Sequence, residues 1–375
     1  MAFEACDDGT LRYAGNRVYD ESEHVDGTDA LDRASERPSQ FLTESYWGHL
    51  SHINDVIHAA TVEYFRSLGS EFTLLPLTTR LISSPGAVYG SETTDYTDDT
   101  SPITLEWFDT DEQLYLSESS QIYLELALLQ SDVSQVFSIY NSFRKEQADE
   151  THLSEFHHIE YEGQIDQQRN KEIVTELLTA ILEALLTDAR SALAEFLPAT
   201  AIDALEALRR DPVESITLER ALALLREDTG DERYEEFTAE HIDTWEEVRL
   251  TELLGGKIVC LEEFPLFEVP FYHAEAESGD GRRLAKNADF IWPGYVETVG
   301  SGERIADVAA VEEKAAAFNL PEDDYEPYLR ARTAESYVRT SGFGIGWERL
   351  LQGLLRMPTI SSVTHFPRTH RFPHP

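Results

Sequence analysis

SGFGIGWERLLQGLLRM, running from Ser341 to Met357, reads as a strand that passes directly into a helix. Glycine at every second position (Gly342, Gly344, Gly346) leaves one strand face bare, so a flat group can approach the backbone closely. Leu350, Leu351, Leu354 and Leu355 then recur at helical spacing and give the helix one buried side. Arg349 falls in the first helical turn, where the helix dipole disfavours a cation unless an anion is bound there too. A bare strand followed by this arginine suggests a site for a planar, anionic ligand such as a nucleotide. A tight sheet-to-helix junction with a surface arginine accounts for the same residues equally well, so the neighbouring sequence has to decide.

Upstream, Val133–Phe143 and Glu155–Glu162 each alternate with the period of a strand and flank a polar loop. They predict an antiparallel hairpin whose loop is longer than a turn requires. That loop and its edges carry Arg144, Glu146, His152 and Phe156, the residue types that clamp a phosphate and stack a base; an ordinary charged loop is the competing reading. A second hairpin, Asn287–Trp292 and Tyr295–Val299 across Pro293-Gly294, carries Asp289 and Glu297. Two carboxylates facing phosphate oxygens make a common magnesium site. Arg304 follows a Gly-Ser-Gly bend and is suited to bidentate contact with a carboxylate.

Helical spacing predicts helices over Tyr46–Leu68, Ser119–Leu129, Asn170–Phe196, Thr217–Leu225, Ala239–Leu254, Arg304–Asn319 and Pro327–Arg339. Strands are expected at Glu71–Leu81, bent at its proline, at Gln113–Leu116 and at Lys257–Phe264, with a long loop over 82–101. Residues 1–44 are acidic and weakly periodic and read as a poorly ordered, mostly looped extension. Residues 45–375 read as one domain with a helical insertion at about 171–256. Mostly antiparallel strands with helices collected outside them give an α+β fold.

Hydrophobic residues make up 41% of the 375 residues, enough for a substantial core. Acidic residues outnumber basic ones by 71 to 30, a formal charge of −41, and only five of the basic residues are lysine. Such self-repulsion is relieved at molar salt, where the Debye length is about 3 Å, so a salt-rich cytosol of the halophilic archaeal kind is inferred. The acidity then reports habitat and argues only weakly against a nucleic-acid partner. Cys6 and Cys260 are the only cysteines, which excludes a disulfide framework and a cysteine-based zinc cluster. No run approaches the roughly 18 apolar residues of a membrane span and no signal pattern opens the chain, so a cytoplasmic protein is expected.

Taken in order, these segments resemble the catalytic core of class II aminoacyl-tRNA synthetases of the aspartyl and asparaginyl branch. FRKE (Phe143–Glu146) followed by HLSEFHHIEYE (His152–Glu162) resembles the second motif of that class. GFGIGWER (Gly342–Arg349) with HFPR (His365–Arg368) resembles the third. SESSQIYLELALL (Ser117–Leu129), EEFPLFEVPFY (Glu262–Tyr272) and YVETVGSGERI (Tyr295–Ile305) resemble segments particular to the branch. The resemblance spans roughly 45–375 and implies an antiparallel sheet flanked by helices, dimerisation through the first motif, and ATP bound bent with Mg2+. It implies Arg144 on the α-phosphate and attacking carboxylate, and Arg349 on the γ-phosphate and over adenine, opposite Phe156. Glu146 would accept from the adenine amino group and His152 would lie near the terminal phosphates, with Gly344 and Gly346 beneath the nucleotide. Asp289 and Glu297 match the magnesium carboxylates. His158 and Glu160, with Gln121 nearby, match residues around the substrate amino group, and Arg304 matches the arginine that pairs with an aspartate side chain.

Relatives in this branch that charge tRNA carry an N-terminal OB barrel of about a hundred residues, and an acidic segment of 44 residues is too short for one. The build therefore resembles the archaeal asparagine synthetase related to asparaginyl-tRNA synthetase. That resemblance implies an ATP-dependent, tRNA-independent ligase whose substrates are aspartate, ammonia and ATP. An asparaginyl- or aspartyl-type tRNA ligase without its own anticodon domain, with tRNA as a less favoured partner, and a non-catalytic regulatory paralogue are the alternatives. The chain departs from the family at Leu124, where a lysine usually helps hold the side-chain carboxylate, and at Thr151, usually arginine. Lys286 is a candidate replacement for the missing lysine.

Overall fold

The computed structural model describes residues 36–83, 102–145, 149–279 and 281–370, with the backbone of three short strands, Phe3–Ala5, Leu11–Tyr13 and Asn16–Tyr19. Glu146 and most of the 82–101 loop lie outside the described residues.

An eight-stranded sheet carries the domain. Its strands are β1 (Glu71–Phe72), β2 (Gln135–Phe143), β3 (Glu155–Gly163), β4 (Val213–Thr217), β5 (Ile258–Glu262), β6 (Asn287–Ile291), β7 (Glu297–Glu303) and β8 (Ser341–Gly346). They lie in the order β4-β5-β6-β7-β8-β3-β2-β1. The six central strands are antiparallel, as expected, whereas both edge strands, β4 and β1, join in parallel.

The two sheet faces differ because the strands alternate. In β3 and β8, Ile159, Tyr161, Phe343 and Ile345 point to one side and are buried. There they meet α2 (Ser45–Ser67) and α4 (Gln167–Asp188) through Leu50, Ile53, Ile57, Phe65, Leu177 and Ile181. The rings of Phe65 and Tyr161 stack at 5.5 Å, and Tyr161 stacks on Phe343 at 5.3 Å. The opposite face is polar. His158, Glu160 and Glu162 pair in register with Gly346, Gly344 and Gly342, so each long polar side chain lies beside a position that has none.

Around the sheet lie α1 (Arg37–Thr43), α3 (Gln121–Ala127), α5 (Ala199–Arg210), α6 (Leu218–Thr229), α7 (Thr244–Leu253), α8 (Val308–Ala317), α9 (Glu322–Arg330) and α10 (Trp347–Leu355). Several differ from the sequence expectation. Within 1–44 the described residues include three short strands and α1, whose buried Arg37 donates to the Ser361 and Thr364 carbonyls; the rest of the extension expected to be loop lies outside the described residues. Glu71–Leu81 forms two two-residue strands, not one bent strand. The helix expected to run to Phe196 stops at Asp188, where Ala189 leaves helical geometry (φ −117, ψ 13). The segment expected to be a helical insertion also contains β4, which extends the main sheet. The helix expected from Arg304 starts at Val308, capped by Asp307; the one expected at Pro327–Arg339 is instead Glu322–Arg330, with Pro327 inside it.

Candidate active site

The polar face of β3 and the glycines of β7 and β8 floor two adjoining cavities. One, of about 210 Å3, is lined by Gln121, Glu160, Tyr272, Asp289 and Arg304 among others. The second, of about 90 Å3, is lined by Thr151, His152, Phe156, Gly346 and Arg349. Arg144, His158, Glu297, Gly300 and Gly344 line both. A larger cavity of about 840 Å3, between α5, α7 and the Trp292–Gly294 turn, includes none of the candidate residues.

Arg304 lines the larger of the two adjoining cavities and is paired with Glu162, which is buried behind it. The Arg304 Nε and Nη2 groups donate to Glu162 at 2.8–3.2 Å, and Gln121 Nε2 adds a bond to Glu162 Oε2 at 2.6 Å. Burial pushes Glu162 up while Arg304 opposes it, and the geometry decides for the ionised form: both carboxylate oxygens are accepting. Arg304 lies at the end of an extended β7, so Gly300-Ser301-Gly302 is strand and not a bend. Lys286 is engaged by Glu303 at 2.7 Å, and Leu124 is buried with Leu128 and Val136, so no lysine replaces the family's.

Glu160 lies beside this pair. Ser119 Oγ donates to its Oε1 at 2.7 Å, and the Tyr140 hydroxyl also bonds to the buried carboxyl. Burial pushes the carboxyl up to about 7. His158 Nδ1 lies 3.5 Å from Glu160, but burial and the Arg144 and Arg349 charges bring the imidazole down to about 3, so the contact is not an ion pair. The His158 ring instead shares a 2.8 Å hydrogen bond with Ser142.

Asp289 and Glu297 converge over Gly300: a Cβ there would sit 2.9 Å from Glu297 Oε1 and 3.9 Å from Asp289 Oδ1. Glu247, on α7, joins them, accepting from the Glu297 backbone N–H at 3.2 Å. Desolvation and mutual repulsion push Asp289 well up, and the same causes bring Glu247 up to about 8. Crowded, desolvated carboxylates suit a divalent cation, which removes the repulsion. Among the described residues no three acidic, imidazole or thiol groups form a complete metal cage. Magnesium requires none, since it takes one or two carboxylates and completes its shell with phosphate and water.

In the smaller cavity, the Arg144 guanidinium lies over the Phe156 ring at 5.3 Å. Arg349 donates to the Glu297 carbonyl at 3.1 Å and to His152 Nε2 at 2.8 Å. The structure therefore gathers Arg144, His152, Phe156, Gly344, Gly346 and Arg349 with Gln121, His158, Glu160, Asp289, Glu297 and Arg304 around the two adjoining cavities. Sequence reasoning missed four residues: Glu162 as the partner of Arg304, Ser119 on Glu160, Glu247 among the acids, and Asp149 against His152. Only Glu162 had a signal, since the alternation that exposes His158 and Glu160 puts it on the same face.

Comparison with known proteins agrees with this architecture. The family model described as tRNA synthetases class II (D, K and N) matches residues 94–370. An asparagine–tRNA ligase of Syntrophobacter fumaroxidans is 26% identical over 331 residues, which cover 86% of this chain and 70% of that protein. One from Desulforamulus reducens is 30% identical over 68% of this chain and 58% of its own. Asparaginyl-tRNA synthetase from Pyrococcus horikoshii, solved with asparaginyl-adenylate, superposes with a TM-score of 0.77 at 25% identity, covering 92% of this chain and 73% of that one.

Proposed function

The chain belongs to the class II tRNA synthetases (D, K and N), and on that premise we propose that it activates asparagine with ATP and passes it to tRNA. The Arg304–Glu162 pair carries the choice of amino acid. A substrate carboxylate would meet an arginine whose charge is already balanced, with Glu162 repelling it. A neutral carboxamide accepts from Arg304 without adding a charge beside the buried pair, so no buried charge is left unbalanced. Leu124 in place of a lysine points the same way. This reading replaces the tRNA-independent asparagine synthesis expected from the sequence, whose first substrate is aspartate. The names of the similar proteins also favour it.

The residues then divide the work. Glu160, on the cavity wall, offers its carboxylate to the substrate ammonium. Arg144, on the border of the two cavities, neutralises the α-phosphate and the incoming carboxylate. A carboxylate oxygen of asparagine attacks the α-phosphorus, and the bond to the bridging oxygen breaks, releasing pyrophosphate. No enzyme nucleophile is required; positioning and charge neutralisation supply the rate. Arg349, placed by its contact with His152, holds the terminal phosphates, and Phe156 with Arg349 encloses the adenine. Asp289 and Glu297 would hold Mg2+, which supplies further neutralisation of the phosphate oxygens. A tRNA hydroxyl then attacks the acyl carbon and AMP leaves. The exposed apolar side chains that follow edge strand β1, Leu74 and Leu77, fit a homodimer contact, and a salt-rich cytoplasm fits the charge.

ATP–pyrophosphate exchange in molar KCl, screened over the amino acids, tests the proposal. Exchange with asparagine is expected, followed by charging of tRNA. Exchange with aspartate alone would overturn the choice of amino acid, and exchange with none would overturn activation.

A further inference from the structure

Arg349 is held by a chain of contacts that ends on a residue outside the cavities. Its guanidinium can only donate, so in the 2.8 Å contact with His152 the imidazole Nε2 is the acceptor. The ring proton of that neutral imidazole then resides on Nδ1, which lies 2.8 Å from Asp149 Oδ1. Asp149 accepts this proton's hydrogen bond and two more, from the Thr151 backbone N–H at 2.7 Å and the Thr151 hydroxyl at 3.2 Å. Despite desolvation, the His152 and Thr151 bonds hold the Asp149 carboxyl down to about 2, so it is a carboxylate throughout the working range.

We propose that Asp149 is a positioning residue for the nucleotide site: it fixes the Nδ1–H tautomer of His152 and thereby the placement of Arg349. Without it, only the Thr151 hydroxyl, 3.1 Å from Nδ1 and able to donate as well as accept, faces that nitrogen, and the imidazole can carry its proton on Nε2, where an N–H would face the guanidinium with two donors and no acceptor. Arg349 would then lose one of its anchors, and His152 its orientation. The guanidinium's remaining bonds, to the Glu297 and Thr151 carbonyls, are longer, at 3.1 and 3.4 Å, and leave the side chain less defined. The role in nucleotide binding rests on the function proposed above; the tautomer does not.

Two measurements separate these. The 15N shifts of the His152 ring, assigned by comparison with H152A, are expected to report Nδ1–H in the free wild-type protein and a shift towards Nε2–H in D149A. Retention of Nδ1–H in D149A would overturn the inference whether or not the protein adenylates anything. In exchange assays, D149A is expected to raise KM for ATP roughly tenfold or more, with KM for the amino acid little changed. D149N, whose side-chain oxygen still accepts from Nδ1–H, should restore most of the affinity. The double variant D149A/H152A should be no weaker than H152A, because the effect passes through the imidazole. An unchanged KM for ATP, or losses that add in full, would overturn the proposal. Absence of exchange in the wild-type protein would instead count against the proposed function.

Discussion

On the proposed function, the buried carboxyl of Glu160 would receive the substrate ammonium. Burial brings it up to about 7, so in the free protein it is half protonated near neutrality and neutral below that. An ammonium binds the ionised form, and kcat/KM for the amino acid, which reports the free enzyme, should fall about tenfold per pH unit below about 7. In E160Q that limb should vanish and KM should rise. A wild-type profile flat from pH 5.5 to 8 would show that this carboxyl does not hold the substrate. On the proposed function, the neighbouring Glu162 would govern selectivity. E162Q keeps an acceptor for Arg304 but removes the balancing charge, so asparagine-dependent exchange should weaken and aspartate-dependent exchange should strengthen, each by roughly tenfold or more. Selectivity unchanged in E162Q would sink the pair as the discriminating element. At this scale the sequence revealed residues that share a face, because alternation in EFHHIEYE is local. Ser119, Glu247 and Asp149 were hidden because nothing in their own segments indicates which side chain they meet.

The strand β8 is the element on which both cavities depend. Its alternate glycines are required by what lies above them: a Cβ at Gly342 would collide with Glu162 Oε2 and the Tyr161 carbonyl, whereas one at Gly344 would meet Glu160 only at ordinary contact distance, 3.4 Å. Gly342→Ala should therefore cost about 1–3 kcal/mol in denaturant unfolding and disturb amino-acid selectivity. Gly344→Ala should leave stability nearly unchanged and act on substrate binding. Equal destabilisation by the two would contradict this account. The glycine strand, the long hairpin and the two long helices were legible because their periodicities are strong. The edge strands were not: β1 has two residues, and β4 (VESIT) is half-exposed along its length and is recruited by parallel pairing with β5. Proline at 327 argued for a helix beginning there, yet the acidic first turn Glu322–Asp324 starts the helix earlier.

At the scale of the whole molecule, charge dominates. The chain carries 71 acidic against 30 basic residues, and pairing cannot balance them. Many surface arginines already engage two carboxylates, as Arg169 does with Glu172 and Glu176, Arg249 with Asp228 and Glu252, and Arg283 with Glu275 and Glu313. Exposed pairs of this kind contribute about 0–1 kcal/mol each, too little to offset the repulsion among the remaining acids. The buried machinery is insulated from this problem, because Arg304–Glu162 and Arg332–Glu125 are closed pairs within the core. Salt should therefore act on global stability before it acts on site geometry. Raising KCl from 0.1 to 1 M shortens the Debye length from about 10 to about 3 Å, so the melting temperature should climb steeply across that interval. Choline chloride should reproduce most of the rise if screening is the cause, whereas specific cation binding would make potassium much the better of the two. A melting temperature independent of salt would mean that the folded chain tolerates its charge by other means, and the inferred habitat would lose its physical basis.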